Sequence, residues 1–277
     1  MSRKKIAISK VLLKKLYYKE KKSKYKIGDI CGCSFKTVLN RMREYGMEPL
    51  SRSIIQSTYL KKDFSGDLTE KAYMIGFRLG DLNVYKTAPH SEVIVARCNT
   101  TNDTQANLLK RTFGKYGKVT ISKGKNEAFS VNCFLNGSFD FLVPKILVVA
   151  DWIDENEKYS TSFAAGYIDA EANIGVYDNR ARFKIDTYDK HIIFWFYNWF
   201  KRNNIQCPKP IKIGYSGQIY DKNKGYKYNK DLWRVRVSEK SSLLKILEVL
   251  YPYLKHTKRR SDARKSIKNI HERSTNN

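Results

Sequence analysis

Apolar residues recur along this chain at helical spacing in some stretches and at strand spacing in others. Between residues 9 and 46 the spacing predicts three short helices. Ser9 caps the first, with Val11, Leu12, Leu13 and Leu16 inside; Tyr25 to Ile30 supply the second; Ser34 caps a third that carries Val38, Leu39 and Met42 and stops at Gly46. The tight Cys31-Gly-Cys33 turn between the last two fits a helix-turn-helix. In that arrangement Lys36, Thr37 and Arg41 open a recognition helix and reach base edges or phosphates. A polar stretch over 51–67 reads as a linker, with Arg52 suited to a backbone phosphate.

From residue 68 the pattern runs through one order of elements twice. A helix over 69–82 precedes strands at 83–86 and 92–99, a helix over 104–116, strands at 118–123 and 128–135, and an apolar helix over 138–153. After a polar joint at 154–161, the second pass begins with a helix over 162–172. Strands at 174–177 and 182–187, a helix over 191–203, strands at 211–215 and 232–238, and a helix over 241–254 complete it. The fold class predicted is α+β, two pseudo-symmetric αββαββα halves at 68–153 and 162–277 behind a helical segment at 1–50. The end of the chain reads as a basic tail.

The leading helix of each half carries a related motif, Tyr73-Met-Ile-Gly-Phe-Arg-Leu-Gly-Asp81 and Phe163-Ala-Ala-Gly-Tyr-Ile-Asp-Ala-Glu171. Glycine in a helix costs about 1 kcal/mol relative to alanine. An acid at a helix C-terminus also faces the negative end of the macrodipole. Both costs make sense if Gly76, Gly80, Gly166 and Ala170 let the two helix backbones approach closely, with Asp81 and Glu171 side by side at the end of the seam. Two hard carboxylates in that position suit a divalent cation.

Charge narrows the partner. The 277 residues include 53 Lys+Arg against 27 Asp+Glu, a formal net charge of +26 spread over the whole length. Such a field favours a polyanion. Along the strands, Lys86, Arg97, Lys123, Arg180, Arg182, Lys184, Lys212, Arg234 and Arg236 are the cations expected to line a duplex, since a twisted β-ribbon fits the major groove. No apolar run is long enough to span a bilayer, and no basic amphipathic helix has the apolar face of a lipid-surface binder. Five cysteines without framework spacing suggest reduced thiols, and with no signal peptide visible the expected location is intracellular rather than secreted. Cys31 and Cys33 lack the second Cys or His pair that a zinc site needs.

The doubled motif resembles that of single-chain homing endonucleases of the LAGLIDADG family. Ala164 to Ala172 follows the consensus closely and Met74 to Leu82 loosely, and the resemblance covers about residues 68 to 265. It implies two saddle-shaped sheets over double-stranded DNA, a monomer, and Mg²⁺-dependent cleavage of both strands leaving 3′ overhangs, with Mn²⁺ or Ca²⁺ able to substitute for binding. Asp81 and Glu171 match the family's metal-binding acids, and the carbonyls of Gly80 and Ala170 match positions that add a ligand. Lys158 and Lys258 stand where the family places auxiliary basic residues. Leu79 departs from the pattern, standing where Asp169 stands in the second copy. Two other functions keep the same scaffold: a DNA-binding regulator with a silent site, and a maturase that binds host intron RNA.

Overall fold

The computed structural model describes residues 7–50, 59–124, 127–145 and 148–275. The chain divides into two compact units at Leu60/Lys61. In the first, helix α1 (Lys10–Lys14) continues as a π-helical turn (Lys15–Lys19), followed by α2 (Lys24–Cys31) and α3 (Phe35–Glu44). Ser9, Ser23 and Ser34 cap these helices by accepting backbone N–H bonds. Gly32 adopts the left-handed conformation that turns α2 into α3. Leu13, Leu16, Tyr17, Ile27, Val38 and Met42 form the core. Val11, expected inside, is 80% exposed, because the buried stripe of Leu13, Leu16 and Tyr17 follows i, i+3, i+4 spacing and leaves Val11 on the opposite side of the helix.

The second unit begins inside the stretch read as a linker. The Lys62 N–H donates to the Tyr116 carbonyl at 2.7 Å, the Phe64 N–H donates to Ser138 Oγ at 2.8 Å, and the Phe64 ring packs against Tyr116, Phe139 and Phe141. Its helices and strands then follow in the order α4 (Leu68–Asp81), β1 (Asn83–Lys86), β2 (Ile94–Thr100), α5 (Asp103–Phe113), β3 (Lys118–Lys123) and β4 (Phe129–Leu135). A 3₁₀ turn (Gly137–Leu142) and a short α6 (Asp151–Asp154) stand where a long helix was expected. Pro144 explains the break, since it has no N–H and disfavours helix in the residue before it.

The second half runs α7 (Glu157–Glu171), β5 (Ala172–Tyr177), β6 (Arg180–Thr187), α8 (Lys190–Arg202), β7 (Ile211–Gly214), β8 (Ile219–Asp221), β9 (Tyr226–Lys227), β10 (Leu232–Val237) and α9 (Lys240–Leu250). The four-stranded antiparallel sheets β1-β2-β4-β3 and β5-β6-β10-β7 repeat one topology, and the short β8–β9 hairpin is an addition of the second half. One face of each sheet packs on the common core, whose largest members include Trp199, Phe113, Phe183 and Phe196. The expected basic tail is instead a 19-residue helix, α10 (Thr257–Thr275). Its lysines and arginines mask a buried stripe of Ala263, Ser266, Asn269 and Ile270, and Asn269 Oδ1 accepts the Ala181 N–H at 3.1 Å. No helix among the described residues is long and apolar enough to cross a membrane.

Candidate active site and nucleic-acid interface

Helices α4 and α7 cross in the middle of the second unit at van der Waals distance. A Cβ on Gly76 would lie 2.1 Å from the Phe163 carbonyl oxygen, and one on Gly166 would lie 2.1 Å from the Tyr73 carbonyl oxygen. The two contacts are reciprocal. One turn further on, a Cβ at Gly80 would meet Ala170 Cβ at 2.5 Å and Glu171 Cγ at 2.9 Å. The glycines therefore bring the C-terminal ends of both helices together, and Asp81 and Glu171 with them.

Burial dominates the electrostatics of those two acids. It pushes the Asp81 carboxyl up to about 6, against the pull of Arg259 and of a Gln105 amide that donates to Asp81 Oδ2 at 2.5 Å. Glu171 rises to about 7, first through burial and then through repulsion from Asp81 and Asp189, opposed by Lys145 and Arg259. Glu171 makes no hydrogen bond within the described residues. A pair of desolvated, mutually repelling carboxylates with free oxygens is a donor set that fits a hard divalent cation, which takes few carboxylates and fills its remaining positions with water or phosphate oxygen. The carbonyls of the last helical turns, those of Gly80 and Ala170 included, have no partner further along their own helix.

The auxiliary basic residues differ from expectation. Lys158 stands on the first turn of α7, about 20 Å along the helix from Glu171 at 1.5 Å per residue, and its charge acts on Asp67, the cap at the start of α4. It lies at the wrong end of the seam. Lys258 is 55% exposed and its ammonium pairs with Asp262 at 2.6 Å. Arg259, one residue on, is the cation whose charge reaches Asp81, Glu171 and Asp169, and Lys145 is its companion at Glu171. Gln105, Arg259 and Lys145 carry no sequence signal of their own. Gln105 and Arg259 stand in the first turns of α5 and α10 and Lys145 follows the 3₁₀ turn, and only tertiary packing brings them to the acids.

Strand register sorts the remaining cations. In the second sheet, Arg180, Arg182 and Lys184 alternate with buried Ala181, Phe183 and Ile185, and Arg234 and Arg236 alternate with buried Val235. These five share the outer face and, with Asn173, line a cleft of about 660 Å³. Lys212 does not join them. It lies opposite Trp233, on the face that Val235 and Val237 bury, and pairs with Asp231. In the first sheet Arg97 faces outward, but Lys86 opposes buried Ile94 and pairs with Asp140, while Lys123 lies on the face of Val119 and Ile121 and pairs with Glu127. Of the cations expected to line a duplex from the first sheet, Arg97 therefore shares the outer face while Lys86 and Lys123 do not. The first sheet presents Asn83, Asn99, Thr120, Ser122 and Asn132 around Arg97. In the helical unit, Lys36 is exposed, Thr37 Oγ1 lies 3.0 Å from the capping Ser34 Oγ, and Arg41 pairs with Glu44. Arg52 lies outside the described residues.

No protein-family model and no curated protein matches the chain. Solved structures resemble it. The homing endonuclease I-WcaI bound to its DNA recognition sequence matches over 81% of this chain and 97% of its own, at a TM-score of 0.50 and 14% identity. I-DmoI in complex with DNA and Mn matches over 66% and 97%, at 0.44 and 14%. Full-length DUF199/WhiA from Thermatoga maritima matches over 76% and 62%, at 0.47 and 12%. At 14% identity the I-WcaI likeness is one of architecture alone: the α+β chain, with its two four-stranded antiparallel sheets, is consistent with the LAGLIDADG homing-endonuclease fold.

Proposed function

We propose that the protein is a site-specific endonuclease that cleaves both strands of a long, asymmetric DNA target, with Mg²⁺ held by Asp81 and Glu171. The observation that carries this reading is the pair itself: two half-buried, repelling carboxylates at the end of a glycine-tight seam, in a chain of net charge +26. A bound Mg²⁺ would activate water and stabilise charge at the scissile phosphate. The chain's own groups divide the remaining work. Gln105 orients Asp81 and reaches the space beside it, where it can hold a water. Arg259 and Lys145 supply positive charge where a leaving oxygen becomes anionic. The outer faces of the two sheets hold the duplex, and the helical unit lengthens the footprint through Lys36 and its neighbours. Both acids come from one chain, so a monomer is sufficient.

A silent DNA-binding regulator would have no use for two half-buried acids that repel one another, and the retention of Asp81 and Glu171 favours cleavage. The test is a cleavage selection on a randomised duplex library in Mg²⁺, followed by assay of the recovered target. The expected result is double-strand cutting with 3′ overhangs, abolished in Asp81→Asn and Glu171→Gln. Cutting that persists in the double variant would remove the proposed site. Binding without cutting in Mg²⁺ or Mn²⁺ would leave the regulator.

A further inference from the structure

The row of residues through the centre of the first sheet is Asn83, Arg97, Asn132 and Thr120, which stand directly opposite one another across β1, β2, β4 and β3. Arg97 is the cation of that row, and it is held from two sides. Its Nε donates to Asn132 Oδ1 at 2.7 Å, and its guanidinium carbon lies 5.6 Å from the centre of the Tyr85 ring, a diagonal neighbour on the same face. Neither terminal amino group has a hydrogen-bond partner among the described residues. The guanidinium is thus fixed in orientation and presents two parallel N–H donors outward. That is the donor pattern complementary to guanine O6 and N7 in the major groove.

The second sheet holds its cations differently, through carboxylates. Arg234 is anchored side-on to Asp186 through Nε at 2.6 Å and Nη2 at 2.7 Å, so a carboxylate, where Arg97 has a neutral amide and a ring, offsets its charge. Lys184 shares that carboxylate, and Arg182 pairs with Asp178. Arg236 has no hydrogen-bond or ion-pair partner among the described residues to orient it, and it stands opposite Lys184. A free, unoriented cation among other cations suits phosphate rather than a base.

The geometry points to Arg97 as a specificity-determining residue that reads one guanine in the half-site under the first sheet, with Asn132 and Tyr85 as its positioning residues. This rests on the reading of the chain as a site-specific DNA enzyme. The test is selection of bound duplexes from a randomised library by the full-length protein in Ca²⁺. The selection is repeated with Arg97→Ala, Arg97→Lys, Asn132→Ala and Arg236→Ala, each checked by thermal melting. The wild-type consensus should contain one guanine whose preference falls about tenfold or more in both Arg97 variants, at no other position. Asn132→Ala should relax the same position, and Arg236→Ala should weaken binding without altering the consensus. A consensus that Arg97→Ala leaves unchanged overturns the assignment while the enzyme reading stands. Failure of the wild type to select any sequence overturns both.

Discussion

Tyr73 Oη donates to Asp169 Oδ2 at 2.6 Å, across the seam between the two motif helices. The same carboxylate oxygen accepts the backbone N–H groups of Lys255 and His256 at 2.7 and 3.0 Å, and Asp169 is only 1% exposed. In the pseudo-symmetric register, Tyr73 corresponds to Phe163 and Asp169 to Leu79, both buried and apolar. The loss of the acid in the first motif therefore goes with the loss of the hydroxyl. Asp169 is a structural tie that holds the segment leading into α10, and so indirectly Arg259. Asp169→Leu should cost about 3 kcal/mol, because it strands a buried hydroxyl and two N–H groups. Adding Tyr73→Phe should recover about 1 kcal/mol of it. Urea unfolding of the two singles and the double measures the coupling, and strict additivity would contradict the tie.

The reciprocal glycines make a second prediction. At Gly166 the obstacle to a Cβ is the Tyr73 carbonyl oxygen at 2.1 Å, a backbone atom that cannot rotate away. Gly166→Ala should destabilise the second unit by about 3 kcal/mol or more. Gly137, with nothing within 4 Å, is the control, and Gly137→Ala should stay within about 0.5 kcal/mol of wild type. Equal melting temperatures for the two variants would mean that the helices do not cross at this distance in solution.

These results mark where the sequence was legible. Gly76, Gly80, Gly166 and Ala170 could be read because close approach leaves a mark in residue size, and the acids because they recur at one register. The strands could be read because burial alternates along them. Which face a cation occupies could not be read at Lys86 or Lys212, since an edge strand tolerates a charge on its core side when Asp140 or Asp231 lies within reach. Helix α10 escaped for a related reason, its four buried positions being diluted by Lys and Arg. Gln105 and Arg259 meet the acids only through tertiary packing, which no local pattern records.

Metal-free stability should carry the signature of Glu171. Its carboxyl is raised from 4.5 to about 7, so the folded state holds its proton more tightly than the unfolded chain does. The stability it contributes is present below about pH 4.5 and is lost as pH rises through 7. Glu171→Gln should therefore be more stable than wild type at pH 8 in EDTA, by on the order of 2 kcal/mol. The advantage should vanish by pH 4.5. The variant difference is the proper measure, because His256, buried and lowered to about 4, imposes an opposite slope on both proteins. A gap that widens as pH falls would contradict burial as the cause.

The cations at the seam give the sharpest test of the site. If Arg259 stabilises charge beside Asp81 and Glu171, its removal should lower kcat on a cleavable target by on the order of 10²-fold with little change in KM. Gln105→Ala should fall in the same direction, since the amide fixes the Asp81 oxygen it touches. Lys258→Ala removes an exposed ion pair with Asp262 and should leave kcat within a few-fold. Lys158→Ala, at the far end of α7, should do the same. Single-turnover cleavage with saturating enzyme separates these effects from DNA affinity. A loss at Lys158 equal to that at Arg259 would place the chemistry somewhere other than the end of the seam where the two acids meet.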